Sequence, residues 1–175
     1  EALRNRLEAG EALELEFNIE NRFVEGPIPQ YNVVADLLGD VHPEEYVIVG
    51  GHLDSWDIAP GATDNGTGVA TTLEAARLLV ESGARPGRTI RFMLWGGEEQ
   101  GLLGSRAWVA DHLDVMEHIS AVLVHDGGTN ALSGLRITRA MQEQVQQALA
   151  PVLRFSAEES GAQPFSLELV EGLST

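Results

Sequence analysis

The sequence contains no cysteine and no lysine, and both absences narrow its chemistry. Without cysteine the chain can form neither disulfide bonds nor zinc sites built on thiolates. Its 11 Lys-plus-Arg positions are all arginine, and against 27 acidic residues they leave a formal net charge of −16. This charge disfavours nucleic acid and anionic membrane surfaces as partners, because both are themselves negative. No apolar run approaches the length of a membrane span, and no signal-like segment is visible.

The composition is that of a globular chain. Hydrophobic residues make up 43% of the sequence and 19 residues are glycine, which is unlike a disordered protein. A length of 175 residues is sufficient for one domain with a substantial core, or for most of a larger one.

The first thirty residues have a pattern of their own. Residues 1–12 place Leu3 and Leu7 on one helical face and end near a glycine, which predicts a short helix. From Leu13 to Glu25 apolar and polar residues alternate, which predicts a half-exposed strand in an antiparallel arrangement. A turn rich in glycine and proline follows.

Beyond this turn the pattern changes to strand, glycine-rich loop and helix. The predicted strands are Tyr31–Leu38, Tyr46–Val49, Thr89–Trp95, Ile119–Val124, Gly134–Thr138 and Ser166–Val170. The predicted helices are Val69–Val80, Leu102–His112 and Met141–Leu149. Apolar strands alternating with helices predict an α/β fold, with a mixed, largely parallel sheet and helices on both faces.

One histidine and several carboxylates lie at or just beyond the ends of these predicted strands. They are His52, Asp64, the adjacent pair Glu98 and Glu99, and Asp126. In such sheets ligands bind at the carboxyl ends of the strands. An imidazole with carboxylates and no thiolate suits a hydrolytic divalent metal site, for which zinc is the first expectation.

Each of these residues also has a structural interpretation. His52 could be a buried structural histidine, although Asp54 is placed to hold its second ring nitrogen. Asp64 could cap the helix that follows or could bridge two metal ions.

The glutamate pair could be a solvated loop start, or could divide into a metal ligand and a general base. His125 alternates with Asp126 along the strand, so its ring is expected to point away from the site. Because no histidine follows His125, a two-metal site would lack one ligand within this chain.

Other catalytic chemistries find less support. The glycine-rich loops lack the lysine of a P-loop and the spacing of a dinucleotide fingerprint. The serines are not placed in a nucleophile elbow, which disfavours a serine hydrolase.

Four segments of the chain resemble the co-catalytic zinc exopeptidases of metallopeptidase family 28, which includes aminopeptidases and glutamate carboxypeptidases. In chain order they read Gly-Gly-His-Leu-Asp-Ser-Trp-Asp, Gly-Ala-Thr-Asp-Asn-Gly-Thr-Gly, Phe-Met-Leu-Trp-Gly-Gly-Glu-Glu-Gln-Gly-Leu-Leu-Gly-Ser and His-Asp-Gly-Gly. They occur in the family's order and with its spacing, and the match covers roughly residues 30–150.

This resemblance implies a three-layer zinc-exopeptidase fold and a role for each candidate residue. His52 and Asp126 would hold one zinc ion, Glu99 would hold a second, and Asp64 would bridge both. Glu98 would be the general base, and Asp54 would orient His52.

The resemblance also implies peptide substrates, specifically dipeptides or peptide termini, a secreted or periplasmic location and compatibility with a homodimer. It implies that residues 1–12 are a lead-in helix or the end of an upstream protease-associated domain. Residues 13–175 would then be a catalytic domain without its C-terminal part, which carries the family's last histidine ligand. Two alternatives share the fold: a non-catalytic binding module, and a single-zinc acyltransferase similar to glutaminyl cyclase.

Overall fold

The computed structural model describes residues 1–22, 24–129, 133–158 and 165–171. The chain divides into two units, residues 1–30 and the residues from Tyr31 onwards. Among the described residues, none of the helices has both the length and the apolar character required to cross a membrane.

The first unit contains one short helix, α1 (Ala2–Glu8), with no buried residue. The strand predicted between Leu13 and Glu25 is not formed in the described part of that stretch. Phe17 and Ile19, which would have formed its apolar face, are 75% and 71% exposed. An isolated strand is not stable because its backbone N–H and C=O groups need a neighbouring strand, so the alternating pattern alone does not suffice.

The second unit is built on a four-stranded sheet. Its strands are β1 (Val33–Leu37), β2 (His42–His52), β3 (Arg88–Trp95) and β4 (Ile119–Val124), in the order β1-β3-β2-β4. β2 pairs in parallel with both β3 and β4, whereas β1 pairs antiparallel with β3. The predicted mixed, largely parallel sheet is therefore confirmed.

The register aligns the carboxyl ends of the three parallel strands. His52 lies opposite Trp95 of β3, and Gly50 lies opposite Val124 of β4. The residues that follow Trp95 and Val124 therefore emerge beside His52 at one edge of the sheet.

Helices cover both faces of this sheet. α2 (Gly66–Glu81) packs on the face to which Gly51 points, since a Cβ atom at Gly51 would lie 3.4 Å from the Gly68 backbone. On the other face, Ile48 of β2 and Trp108 of α3 (Leu103–Asp111) line the same cavity. Alternate residues of a strand point to opposite faces, so α2 and α3 lie on opposite sides of β2.

The core lies in the central strands, where several apolar side chains are almost fully buried. Met93 of β3 is 0% exposed and Ile48 of β2 is 3% exposed. This packed centre holds the strand ends in place beneath the site.

A second, two-stranded sheet lies within a βαβ arrangement. β5 (Gly134–Thr138) pairs in parallel with β6 (Ser166–Val170), and α4 (Gln142–Glu158) lies between them in sequence. The helix continues past Pro151, beyond the predicted end near Leu149. Both strands have the predicted bounds.

Candidate metal centre

The imidazole of His52 lies at the centre of the site. His52 is the last residue of β2 and is 3% exposed. Its Nε2 atom lies 2.9 Å from Oδ1 of Asp64 and 3.3 Å from Oδ1 of Asp126. Two carboxylates thus converge on one ring nitrogen, an arrangement that a cation between them would stabilise.

Glu99 completes this group from the end of β3. One carboxylate oxygen of Glu99, one carboxylate oxygen of Asp64 and one ring nitrogen of His52 lie within 4.8 Å of one another. The structure therefore brings together His52, Asp64, Glu99 and Asp126, the four predicted ligands, from segments that are distant in sequence. The donor set of imidazole and carboxylate oxygen fits zinc and also harder divalent ions.

The charges in the site shift two pKa values. Burial alone lowers the pKa of His52, but the charges of Asp126 and Glu98, with hydrogen bonds to Asp54 and Asp64, raise it above its usual value. Loss of solvent and then the charge of Asp64 raise the pKa of Glu99. Neighbouring carboxylates contribute to both shifts, and this concentration of negative charge favours binding of a divalent cation.

Asp54 contacts both the histidine and the glutamate loop. Its backbone carbonyl oxygen lies 3.0 Å from Nδ1 of His52, and its Oδ1 lies 3.6 Å from the same nitrogen. Its carboxylate accepts hydrogen bonds from the backbone N–H groups of Glu98 at 3.0 Å and Glu99 at 3.2 Å. When Nδ1 carries the ring proton and donates it to this carbonyl, Nε2 is unprotonated. Its lone pair then points towards the carboxylates of Asp64 and Asp126.

Sequence reasoning predicted the contact of Asp54 with the ring and missed its contacts with the glutamate loop. Those hydrogen bonds join residues 44 and 45 positions apart, a separation at which no local pattern signals a contact.

The predicted base, Glu98, faces a cavity beside the ligands. The cavity has a volume of about 340 Å³, and Glu98, His52 and Asp126 line one part of it. Apolar side chains, among them Met93 and Trp95, line the rest. Glu98 is thus the carboxylate of the pair that faces open space, whereas Glu99 belongs to the ligand group.

A second polar residue anchors the glutamate loop from another side. The side chain of Asn32 accepts a hydrogen bond from the Gly96 N–H at 3.1 Å and donates one to the Gly104 carbonyl at 2.9 Å. A Cβ atom at Gly104 would collide with both Asn32 and Gly96. Close packing of α3 on this loop therefore requires glycine at that position.

Two residues next to the ligands in sequence, His125 and Asn65, make hydrogen bonds with backbone groups. His125 is not a member of the ligand group found among the described residues, and its backbone N–H donates to the Gly50 carbonyl at 3.0 Å. Asn65, which sequence reasoning did not select, is 2% exposed and donates a hydrogen bond to the His125 carbonyl at 2.9 Å. Burial of an amide cannot be read from the sequence.

Known proteins that are similar to this chain are peptidases, and one of them is a zinc aminopeptidase. The sequence model described as peptidase family M28 matches residues 32–171. Carboxypeptidase Q from Xenopus laevis is 42% identical over 127 residues, which cover 70% of this chain and 27% of that protein. The chain thus spans little more than a quarter of the length of such curated relatives.

Solved structures show the same similarity. A peptidase M28 precursor from Shewanella amazonensis superimposes with a TM-score of 0.71 at 28% identity, over 82% of this chain and 31% of that one. A zinc aminopeptidase from Bacillus subtilis superimposes with a TM-score of 0.57 at 27% identity, over 79% of this chain and 34% of that one.

Proposed function

Since the chain belongs to peptidase family M28, we propose that the protein is a zinc-dependent exopeptidase that hydrolyses dipeptides or the terminal residues of peptides. The observation that carries this proposal is the convergence of Asp64, Glu99 and Asp126 around His52 at the carboxyl edge of the sheet. The similarity to carboxypeptidase Q and to a zinc aminopeptidase supports both the metal and the class of reaction.

The ligand assignment rests on the family resemblance, and the contacts of the carboxylates support it. His52 and Asp126 would hold one zinc ion, and Oδ1 of Asp126 lies 3.3 Å from Nε2 of His52. Glu99 would hold the second ion, and Asp64, which lies close to both His52 and Glu99, would bridge the two. When bound, zinc would polarise the scissile carbonyl and lower the pKa of the attacking water.

Glu98 would move the protons of the reaction. Its carboxylate would accept a proton from the attacking water as the water oxygen bonds to the carbonyl carbon. It would then donate that proton to the amide nitrogen as the C–N bond breaks, releasing an amine. The open space in front of Glu98 is consistent with a substrate approaching from that side.

Asp54 and the buried imidazole would keep these groups in place. The two N–H donors on either side of Glu98 are fixed by one carboxylate, so the base and the neighbouring ligand would move together. This coupling would keep the general base at a constant distance from the water that it deprotonates.

The same family relationship supports proposals about the domain, the substrates, the location and the oligomeric state of the enzyme. We place residues 13–175 in its catalytic domain, with peptides as substrates, a secreted or periplasmic location and a homodimeric state. These features rest on the family resemblance.

The compact ligand group favours one second candidate, a single-zinc acyltransferase. Ligand atoms of His52, Asp64 and Glu99 lie within 4.8 Å of one another, so these residues could hold one ion together. Peptides with N-terminal glutamine separate the two functions, since a cyclase forms pyroglutamate whereas the exopeptidase releases free amino acids.

Replacement of the base tests the proposed function. Glu98→Gln is expected to lower dipeptide hydrolysis by about 10²–10⁴-fold, because the amide cannot accept the proton. Zinc content after dialysis, measured by elemental analysis, is expected to remain at the wild-type value. Glu117→Gln is the matched control, since Glu117 is exposed and outside the ligand group. Wild-type hydrolysis by Glu98→Gln would exclude this mechanism.

A further inference from the structure

We propose that Asn65 is a positioning residue, which sets the separation of the Asp64 and Asp126 carboxylates by joining the start of α2 to the end of β4. This inference rests on the proposed metal site, because Asp64 and Asp126 act in it as ligands. Neither the family match nor the ligand geometry assigns Asn65 a role.

The side chain of Asn65 makes a hydrogen bond at each end. Its Oδ1 accepts from the Gly68 N–H at 2.9 Å, and its Nδ2 donates to the His125 carbonyl at 2.9 Å. The residue is 2% exposed, so water contributes little to its hydrogen bonding. A buried amide with partners at both ends is held in one orientation.

The hydrogen bond between Asn65 and His125 joins two residues that are each next to a proposed ligand in the sequence. Asn65 directly follows Asp64, and His125 directly precedes Asp126. Both carboxylates approach the same nitrogen of His52, at 2.9 Å and 3.3 Å. A change in the distance between Asn65 and His125 is therefore transmitted to the gap in which the cation would lie.

Two glycines make the space for the amide. A Cβ atom at Gly51 would lie 3.1 Å from both Nδ2 of Asn65 and the His125 carbonyl oxygen. A Cβ atom at Gly68 would collide with the His125 carbonyl and would lie 2.5 Å from Oδ1 of Asn65. The ends of β2, β4 and α2 thus meet closely around one side chain.

The chemistry of the two partners selects an amide. The Gly68 N–H can only donate and the His125 carbonyl can only accept, so the side chain between them must accept at one end and donate at the other. Serine can replace the first contact, as helix N-caps commonly do. It is too short to replace the second, and Asn65→Ser therefore removes the link to β4 while keeping the cap.

The test compares Asn65→Ser with Asn65→Ala and with Thr72→Ala. Thr72 is 1% exposed in the same helix, so Thr72→Ala reports the effect of lost packing without a change at the ligands. In the purified protein, zinc affinity is measured by competition with a chelating dye, and the melting temperature of the metal-free protein is measured by circular dichroism.

Both Asn65 variants are expected to bind zinc about 10–100-fold more weakly than wild type, the range found when groups that orient metal ligands are removed. Thr72→Ala is expected to keep wild-type affinity despite a lower melting temperature. With Co²⁺ as the probe, the visible absorption bands of Asn65→Ser are expected to shift, because they depend on ligand geometry, whereas those of Thr72→Ala remain.

Three results would overturn the inference: wild-type zinc affinity in Asn65→Ser, equal loss of affinity in Thr72→Ala, or unfolding of Asn65→Ser at 25 °C, which would show a purely structural role. Absence of zinc binding by the wild-type protein would instead contradict the proposed function.

Discussion

At the scale of single residues, Asp54 connects two parts of the metal centre. Its carboxylate is 17% exposed and accepts hydrogen bonds from the N–H groups of Glu98 and Glu99, while its carbonyl contacts His52. Hydrogen bonds to an ionised acceptor are stronger than those between neutral groups. Asp54 therefore acts on the base and on two ligands at the same time.

Asp54→Asn is expected to reduce both the affinity for zinc and the rate of hydrolysis by about 10–100-fold. The reason is that an amide nitrogen would face one of the two backbone N–H donors. The change keeps the side-chain volume, so the loss would come from the hydrogen bonds. Dye competition for zinc and the rate of dipeptide cleavage measure the two effects.

Asp57→Asn provides the comparison for this substitution. Asp57 lies three residues further along the same loop and is exposed, and the change removes the same charge. An equal loss in both variants would attribute the effect to net charge and would contradict the role given to Asp54.

The sequence predicts the residues that come together at the site better than it predicts how they are held. Each proposed ligand follows an apolar strand or lies in a glycine-rich loop, which is a local signal. The hydrogen bond from Asn65 to His125 joins residues 60 positions apart, and that from Glu98 to Asp54 joins residues 44 apart. Such contacts depend on strand order and register, which a single sequence does not specify.

At the scale of elements, the approach of α3 to the glutamate loop depends on a glycine. Gly104 donates its N–H to the Gly96 carbonyl at 2.9 Å and is buried against Asn32. The loop that carries Glu98 and Glu99 is thus held between Asn32, Asp54 and the first turn of α3.

Gly104→Ala is expected to lower the free energy of unfolding by about 1–3 kcal/mol, since the added methyl group requires Asn32 or the loop to move. Zinc affinity is expected to fall as well, because the loop carries Glu99. Urea denaturation and dye competition give the two values.

Gly87→Ala is the control for this change. A Cβ atom at Gly87 would meet only Val41, at 4.0 Å, so the backbone can accept it. If Gly87→Ala and Gly104→Ala had the same stability, packing at Gly104 would not matter.

Elements with a strong local pattern could be predicted, and those that depend on neighbours could not. β4 has the predicted bounds, but its apolar run did not predict that it lies at an edge of the sheet that the described residues form. There Val122 and Val124 remain 51% and 58% exposed. The alternating segment from Leu13 shows the converse, since its pattern suits a strand but no described strand pairs with it.

At the scale of the whole molecule, the metal site joins the strand ends of the central sheet. The proposed ligands lie at the end of β2, after β3, after β4 or before α2, so the site exists only when these elements are assembled. A ligand that binds the folded state alone stabilises it by mass action.

Zinc is therefore expected to raise the melting temperature of the metal-free protein. At free zinc about 100 times the dissociation constant the gain would be about 2.7 kcal/mol, and a chelator would reverse it. Thermal denaturation followed by circular dichroism measures the change.

A second acidic group provides the control for this effect. His42, Glu44 and Glu45 lie close together at the start of β2, where Arg88 already pairs with Glu45. Glu44→Gln is expected to leave the zinc-induced stabilisation unchanged, whereas Asp64→Asn is expected to remove most of it. The reverse pattern would move the metal to the other end of β2.

His52 ends β2 and Asp126 follows β4, and these two strands are adjacent in the sheet but separated in sequence by α2, β3 and α3. Contacts between such distant segments form slowly, because a long loop must close first, whereas helices need only local contacts. In a refolding experiment, the moment at which the chain first captures zinc would therefore time the docking of β4 against β2.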